Sequence, residues 1–319
     1  MMAERVQAPV SPVPRVMPGP GRSRRRLLVA GASLLAGAIG LVPAAPAAQA
    51  PQRIVSVGAD MTELVYALGA GERVVATDTT SLWPPQARET RKLGYLRNLS
   101  AEGLLSLEPD LLLLSGAAGP ESTLRQLEGT GLRIVQAVED YSLAGARAKI
   151  ELVGKALGEE ARARELVAEF DRDVAVLRET TRSVAHPRGV FLLAAGGGSP
   201  QVAGKGTAAQ AILDLVGVDN ALDHEGYKAI SPEALVAARP EVILVMSTAP
   251  GGGIEAVAAT PGMALTPAGK AGRMLEVDGV ALMSFGPRVA KAATQLAGRV
   301  RKAATQLAGR VRMPAGAAR

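Results

Sequence analysis

The feature that most constrains the fold is a segment that occurs twice along the chain. Leu99–Leu114 reads LSAEGLLSLEPDLLLL and Ile230–Val245 reads ISPEALVAARPEVILV, at an offset of 131 residues. Each copy has a serine, a glutamate two residues later, a proline, an acidic residue and four apolar residues. This pattern predicts a serine-capped helix that stops before the proline and leads into a buried strand. The offset is too long for a solenoid repeat, so it indicates two related lobes.

Short apolar runs alternate with helical stretches in both halves, which predicts parallel α/β sheets. The charged stretch at residues 159–182 contains neither Gly nor Pro and carries its apolar residues on one helical face, so we expect one long helix there. The expected fold class is α/β, with two Rossmann-like lobes whose parallel sheets are joined by this single connecting helix. The predicted strands are Ile54–Val57, Val74–Ala76, Leu111–Leu114, Ile134–Val138, Val190–Ala194 and Met274–Val277.

The amino terminus has the pattern of an export signal. Ser-Arg-Arg-Arg-Leu-Leu at residues 23–28 precedes an apolar run that ends at Val42, and an Ala-rich segment follows. This order is typical of a secretory signal, and the paired arginines resemble the twin-arginine type. The run is shorter than the ~20 apolar residues of a membrane span. We therefore expect cleavage near residues 47–50 and a periplasmic mature protein.

The expected organisation has five parts. They are a signal peptide with an N-terminal extension (1–50), an N-terminal lobe (51–158), the connecting helix (159–182), a C-terminal lobe (183–300) and a basic extension and tail (301–319). The extension reflects a tandem duplication, because residues 291–301 and 302–312 both read KAATQLAGRVR. Such a repeat spans about three helical turns, so the second copy keeps the same face inward.

Composition excludes several kinds of site and partner. The chain has no Cys and two His, which excludes disulfides, thiolate metal sites and Cys nucleophiles and argues against a His-rich metal site. Of the net charge of +6, residues 1–50 carry +5 and residues 288–319 carry +8, which leaves −7 for residues 51–287. Because neither basic end contains an aromatic residue, nucleic acid is not an expected partner.

Common catalytic motifs are missing from the sequence. The chain lacks a Gly-x-Ser-x-Gly elbow, a P-loop and a His-Glu-x-x-His motif. A Gly-Gly-Gly-Ser turn at residues 196–199 is compatible with anion binding, and also with a simple close approach of the backbone to a ligand. We therefore expect a binding protein and no enzyme activity.

Over residues 52–300 the chain resembles the periplasmic substrate-binding proteins of ABC importers for haem, siderophores and cobalamin. The resemblance is carried by RIVSVGADMTELVYALGAGERVVATD and by the two Ser-x-Glu…Pro-Asp/Glu segments, and LGYLRNLSAEGLLSLEPDLLL at residues 93–113 is most similar to the haem binders. It implies a class III periplasmic binding protein fold and a monomer that delivers haem to a permease dimer with its ATPase. The alternatives are a siderophore- or cobalamin-binding protein of the same family or, from another class, an exported haem-handling or hydrolytic enzyme.

The Gly-Tyr-x-Arg motif of those haem binders matches Gly94 to Arg97, so the resemblance implies that Tyr95 is the axial ligand of ferric haem and Arg97 its support. Phenolate is an established haem ligand. A free phenol has a pKa of about 10, and both the ferric ion and a guanidinium favour its charged form. In an extended segment Tyr95 and Arg97 would point the same way. From the residues alone, a surface Tyr–Arg stack is the alternative.

Further residues have expected supporting roles. Tyr227 precedes the second Ser-x-Glu segment much as Tyr95 precedes the first, so we expect it on the opposite wall as haem-pocket support. Its open roles are a stacking ring, a propionate partner or a second iron ligand. Glu102 and Glu233 match the family's acids that dock on the permease, although a favourable interaction with the helix dipole alone would also explain them. The possible partners for the haem propionates are Arg91, Lys92, Lys205 and Lys228.

Overall fold

The computed structural model describes residues 50–182, 186–194, 200–247 and 253–311. These residues belong to one compact unit. The predicted signal peptide, the Gly-Gly-Gly-Ser turn at 196–199 and the tail beyond residue 311 lie outside the described residues. In the part of the chain that is described, no helix is both long and apolar enough to cross a bilayer.

The first lobe is built on a parallel sheet with strand order β3-β2-β1-β4-β5. The fully buried strand β4 pairs with β1, as expected for a central strand covered on both faces. The predicted parallel sheet is therefore confirmed for this lobe. Its strands are β1 (Ile54–Val57), β2 (Val74–Thr77), β3 (Arg91–Lys92), β4 (Leu111–Leu114) and β5 (Ile134–Gln136), and its helices are α1 (Ala59–Ala67), α2 (Ala101–Leu105) and α3 (Glu121–Glu128).

Two consecutive helices lead out of the first lobe. Helix α4 (Leu143–Leu157) ends at Gly158, whose left-handed conformation closes the helix. Helix α5 (Glu160–Thr181) has 22 residues and so spans about 33 Å. It packs against α4 on one side and against the C-terminal helix of the second lobe on the other. Helix α5 is the predicted connecting helix.

The second lobe has a mixed sheet of order β11-β10-β6-β7-β9, with β8 beside β6. Its strands are β6 (Arg188–Ala194), β7 (Gln201–Ala203), β8 (Asp219–Asn220), β9 (Tyr227–Ala229), β10 (Val242–Ser247) and β11 (Met274–Glu276). Its helices are α6 (Ala208–Leu215), α7 (Pro232–Ala238), α8 (Ile254–Ala258), α9 (Pro267–Lys270), α10 (Gly279–Leu282) and α11 (Val289–Val311).

The prediction of a fully parallel sheet is wrong for the second lobe. Strand β7 runs antiparallel to both β6 and β9, whereas β6, β10 and β11 are parallel. Only residues 195–200 separate β6 from β7. A parallel crossover needs a dozen or more residues, so adjacent strands this close in sequence pair antiparallel.

The repeated segments fold alike in the two lobes. Ser100 and Ser231 each cap a helix by accepting a hydrogen bond from the backbone N–H three residues later, at 3.3 and 3.2 Å. Each helix is followed by a residue with positive φ immediately before the proline, Glu108 at 47° and Arg239 at 51°. The predicted capped helix, stop and buried strand are therefore confirmed in both copies.

A single apolar core runs through both lobes. One cluster of buried side chains extends from Ile54 in β1 through Phe170 in α5 to Phe191 in β6 and Val289 in α11. Smaller clusters cover the outer face of each sheet, one around Leu112 and one around Ile243. Because the lobes share their largest core through α5, we expect only small changes in their relative position.

Candidate ligand-binding site

The carboxyl ends of the first sheet form the floor of the candidate site. The strand order reverses direction between β1 and β4, the position at which open α/β sheets bind ligands. Gly58 follows β1 there with φ of 105°, and a Cβ atom on it would collide with Ser115, the residue after β4. Glycine is thus required by both backbone conformation and space. Its N–H donates to Asp78 Oδ1 at 2.8 Å, which ties the end of β1 to the end of β2.

Tyr95 lies on a turn at this carboxyl edge, just beyond β3. The Asn98 N–H donates to the Tyr95 carbonyl at 2.8 Å, so the segment is a turn and the expected extended backbone is wrong. Leu96 is buried, and its sequence neighbours Tyr95 and Arg97 are both exposed. Leu96 and Leu99 are both hydrogen-bonded through their backbones to Gly119, beyond β4, which fixes the turn across the sheet end.

The Tyr95 ring is 51% exposed, which is high for an aromatic side chain. Within the described ranges, no protein group forms a hydrogen bond with its hydroxyl. The phenol oxygen is therefore available to an external partner. Trp83 is also exposed and lies on the same lobe.

Arg97 is paired with an acid that the sequence reasoning missed. Its Nη2 lies 3.6 Å from Glu139 Oε1, and both side chains are largely exposed. Glu139 follows β5, and the absence of a side chain on Gly116 allows its backbone to approach the end of β4. An exposed ion pair at this distance contributes only about 0–1 kcal/mol. The Arg97 side chain is therefore only weakly fixed by its ion pair with Glu139.

Sequence reasoning also missed Tyr141, which forms a hydrogen bond with Glu139. Its hydroxyl donates to Glu139 Oε1, the same oxygen that faces Arg97. Burial and the neighbouring carboxylate raise the pKa of Tyr141, so it remains a neutral donor. Its ring packs against Phe285 of the second lobe with centroids 5.8 Å apart.

Tyr227 of the second lobe was predicted to line the opposite wall of the cleft. It is half-buried at the start of β9 and close to the N-terminus of α6. Burial raises the pKa of Tyr227, while polar interactions with the Ala209 backbone and the Thr207 side chain and the charge of Arg97 partly oppose that rise. The charge of Arg97 in the first lobe therefore acts on Tyr227 in the second lobe.

The predicted cations of the first lobe are not part of this group. Lys92 points into the lobe, where Nζ donates to Thr77 Oγ1 at 2.7 Å and to the carbonyls of Ser81 and Ala87 at 3.0 and 2.7 Å. Burial lowers the pKa of Lys92. This ammonium has its hydrogen-bonding capacity filled by the protein. Arg91 is exposed on β3 at the edge of the sheet.

The two predicted cations of the second lobe lie on its surface. Lys205 forms an ion pair with Asp223. The hydrogen bond to the Asp223 carboxylate and its negative charge raise the pKa of Lys205. Lys228 follows Tyr227 on β9, so its side chain leaves the opposite face of the strand. Among the described basic residues predicted for the site, Arg97 is the one whose charge acts on Tyr141 and Tyr227.

A loop of the second lobe, residues 284–288, is anchored in the first lobe and was not predicted. Lys149 Nζ donates to Asp60 Oδ2 at 2.7 Å and to the Ser284 carbonyl at 2.9 Å. Both charged side chains are almost fully buried. We call residues 284–288 the interlobe loop. The sequence signal of this contact is the presence of charged residues, Asp60 and Lys149, among the buried positions of α1 and α4.

Arg288 completes the anchor at the rim of the cleft. Its guanidinium forms a two-point ion pair with the carboxylate of Glu63, with Nε 3.1 Å from Oε2. Burial raises the pKa of Glu63, although Arg288 opposes this. The guanidinium also lies 4.6 Å from the centroid of the Trp83 ring. Trp83 thus packs against this anchor.

The two predicted docking acids are exposed at the start of their helices, Glu102 in α2 and Glu233 in α7. Hydrogen bonds from its own N–H and from the Ser231 hydroxyl lower the pKa of Glu233. Neither acid forms an ion pair with another residue of the described chain. Both carboxylates are thus accessible, one on each lobe.

Comparison with known proteins places this architecture in a family. A family profile described as periplasmic binding protein matches residues 54–281. The chain belongs to the periplasmic binding protein family. The periplasmic heme-binding protein RhuT from Roseiflexus sp. RS-1 is 36% identical, with a TM-score of 0.74 over 79% of this chain and 99% of RhuT. The heme-binding protein BhuT, solved with two hemes, is 38% identical, with a TM-score of 0.73 over 79% of this chain and 98% of BhuT.

Curated relatives extend the comparison to other ligands. An uncharacterized ABC transporter substrate-binding lipoprotein, YvrC of Bacillus subtilis, is 28% identical over 77% of this chain and 79% of its own length. A vitamin B12-binding protein of Pectobacterium atrosepticum is 24% identical over 65% of this chain and 75% of its own length. The class III fold, two lobes joined by a long helix, is thus shared by proteins with different ligands. Family membership alone therefore leaves the ligand open.

Proposed function

We propose that this protein is the substrate-binding protein of an ABC importer and that its ligand is ferric haem. The observation that carries the proposal is the exposed, unengaged phenol of Tyr95, fixed on a turn at the carboxyl edge of the first sheet next to Arg97. The similarity of the chain to heme-binding proteins, at 36% and 38% identity, supports haem over other ligands of the family. ABC importer membership is supported by the B. subtilis relative.

The chemistry of the group suits a planar, anionic iron complex. Ferric iron favours a hard anionic donor, and the Tyr95 phenolate is one. The Arg97 guanidinium stabilises a nearby negative charge, either the phenolate or a haem propionate, through its planar set of N–H donors. Burial raises the pKa of Tyr227, so we assign this residue to the opposite wall of the site. We assign iron ligation to Tyr95 on the first lobe, because its hydroxyl is exposed and makes no hydrogen bond within the described residues.

Export and delivery complete the proposal. The mature chain would lie in the periplasm after loss of residues 1–50, with 51–158 and 183–300 as lobes. It would act as a monomer that brings haem to a permease dimer with its ATPase. Glu102 and Glu233 would engage basic residues of that permease, one acid on each subunit of the dimer, because each lobe presents one exposed carboxylate.

The second candidate ligand is cobalamin, which the vitamin B12-binding relatives favour. Titration of the purified mature protein with haemin and with cyanocobalamin separates the two ligands. We expect haemin to bind with an absorption spectrum of the ferric-tyrosinate type and cyanocobalamin not to bind. Saturable cyanocobalamin binding without a haemin spectrum would contradict the haem assignment and support the alternative.

Docking is tested separately by reversing the charge of both acids, Glu102→Arg with Glu233→Arg. We expect haem uptake by cells that depend on this importer to be lost while haemin binding by the purified variant is unchanged. The control reverses two exposed acids of α4 and α5, Glu151→Arg with Glu179→Arg. Normal uptake by the first variant, or equal losses in both, would reject the docking role.

A further inference from the structure

The Arg97–Glu139 pair is a weak contact at a position where a ligand would need the guanidinium. The two groups are 3.6 Å apart, and their side chains are 56% and 41% exposed. Solvent and salt screen such a pair, so it is easily exchanged for another carboxylate. A ligand carboxylate beside Arg97 would occupy the place that Glu139 has in this structure.

The two partners of this pair are held very differently. Glu139 accepts the Tyr141 hydroxyl proton on the oxygen that faces Arg97. Tyr141 in turn is half-buried and packs against Phe285, which is fully buried. The Glu139 carboxylate is therefore fixed to the framework between the lobes. Arg97 belongs to an exposed turn and has five N–H donors, so it is the partner that can change its contacts.

We propose that Glu139 is a specificity-determining residue, an internal anion that holds Arg97 until a ligand carboxylate displaces it. This inference rests on the proposed function and specifies which ligands the site accepts. A ligand with carboxylates gains the Arg97 contact but must compete with Glu139 for it. A neutral ligand cannot compete, and Arg97 then stays with Glu139.

The charges around the pair agree with this role. Arg97 is the cation that faces Glu139, while Tyr141 and Tyr227 are neutral phenols whose raised pKa values keep them protonated. Lys92, Lys205 and Lys228 have other contacts or lie on other faces, as described above. Because Arg97 is the cation that both anions would use, removing the charge of Glu139 should favour an anionic ligand selectively.

The test measures the affinity of the Glu139→Gln variant of the mature protein for haemin and for haemin dimethyl ester, which lacks the two carboxylates. The amide oxygen of the new side chain would still accept the Tyr141 hydrogen bond, so the local packing is preserved. We expect haemin to bind about two- to five-fold more tightly than to the wild type, the range typical of an exposed ion pair. The affinity for the ester should not change.

Two further variants complete the design. Glu151→Gln removes an acid with similar exposure from an ion pair with Arg147 on α4 and should leave both affinities unchanged. Glu139→Ala is a second neutral variant and should reproduce the gain for haemin, which guards against a local effect of one substitution. Circular dichroism and urea unfolding check that each variant is folded.

The outcomes distinguish this inference from the proposed function. If the wild type does not bind haemin, the proposed function fails and this inference fails with it. If the wild type binds haemin but both neutral variants bind it no more tightly, only this inference is overturned. An equal gain for haemin and its ester would also overturn it, because Arg97 would then be acting on the Tyr95 phenolate and not on ligand carboxylates.

Discussion

The two lobes share a scaffold and differ in the residues they present to the cleft. Both copies of the repeated segment form a serine-capped helix, a stop before proline and a buried strand. The tyrosines that precede them differ, since Tyr95 is exposed on a turn after β3 and Tyr227 is half-buried in the antiparallel strand β9. The repetition thus specifies the framework, and the non-repeated residues specify the ligand.

The polar contacts of the cleft differ in the same way. The Asp60–Lys149 pair and the Glu63–Arg288 pair lie where the interlobe loop enters the first lobe, and three of these four side chains are almost fully buried. The Arg97–Glu139 pair at the ligand position is exposed. Buried pairs are costly to break, whereas exposed pairs are easily exchanged. The buried ion pairs are therefore suited to fixing the lobes relative to each other. The exposed Arg97–Glu139 pair is suited to exchanging one partner for a ligand.

The largest effect on stability is expected from Lys149→Met, which leaves Asp60 buried without its cation. Loss of one partner of a buried pair typically costs about 3–5 kcal/mol. Urea unfolding of the mature protein should show this loss in the free energy of unfolding. Lys155→Met, an exposed position on the same helix, should change it by no more than about 0.5 kcal/mol. Equal effects at the two positions would show that the Asp60–Lys149 pair is not a stabilising contact.

A smaller effect is expected from Arg97→Gln on haemin affinity. Loss of a hydrogen bond to a charged group typically costs about 1.5–3 kcal/mol, or about 10–100-fold in affinity. Lys228→Gln, on the opposite face of β9 from Tyr227, should change the affinity by less than about two-fold because it makes no contact with the site. Isothermal titration with haemin measures both. A larger loss for the Lys228 variant than for the Arg97 variant would place the anion contact on the second lobe.

The smallest effects are expected from Ser100→Ala and Ser231→Ala, which remove the same cap from the two copies of the repeat. Loss of a helix cap costs about 1 kcal/mol. Because the cap geometry is the same in both lobes, the two losses should agree within about 0.5 kcal/mol. Thermal or urea unfolding gives the comparison. A loss at one position only would mean that the two copies are alike in geometry but not in their contribution to stability.

Local patterns in the sequence were enough to predict the main framework. The apolar runs at Ile54–Val57 and Leu111–Leu114 are the strands expected from them. The Gly- and Pro-free stretch became α5, beginning one residue later than expected. These elements are decided by residues close in sequence, through helix caps, chain stops and hydrophobic periodicity.

Contacts between distant residues could not be predicted in the same way. The Lys149–Ser284 and Glu63–Arg288 contacts join positions 135 and 225 residues apart, and no periodic pattern links them. The hairpin of β6 and β7 was missed because β7 is only three residues long. The inward direction of Lys92 was also not predicted. Its three acceptors belong to Thr77, Ser81 and Ala87, which the fold and not the sequence brings next to β3. No sequence pattern marked Glu139 and Tyr141 as site residues, because only the fold brings Arg97 next to Glu139.

The central claim is that ferric haem is held by Tyr95 on the first lobe. The most direct measurement is the absorption spectrum of the haemin complexes of the wild type, Tyr95→Phe and Tyr227→Phe. We expect a ferric-tyrosinate charge-transfer band for the wild type and for Tyr227→Phe. For Tyr95→Phe we expect the band to be lost and the affinity to fall by more than the about 10–100-fold typical of supporting residues. An unchanged band and affinity in Tyr95→Phe, or loss of the band in Tyr227→Phe alone, would contradict the assignment.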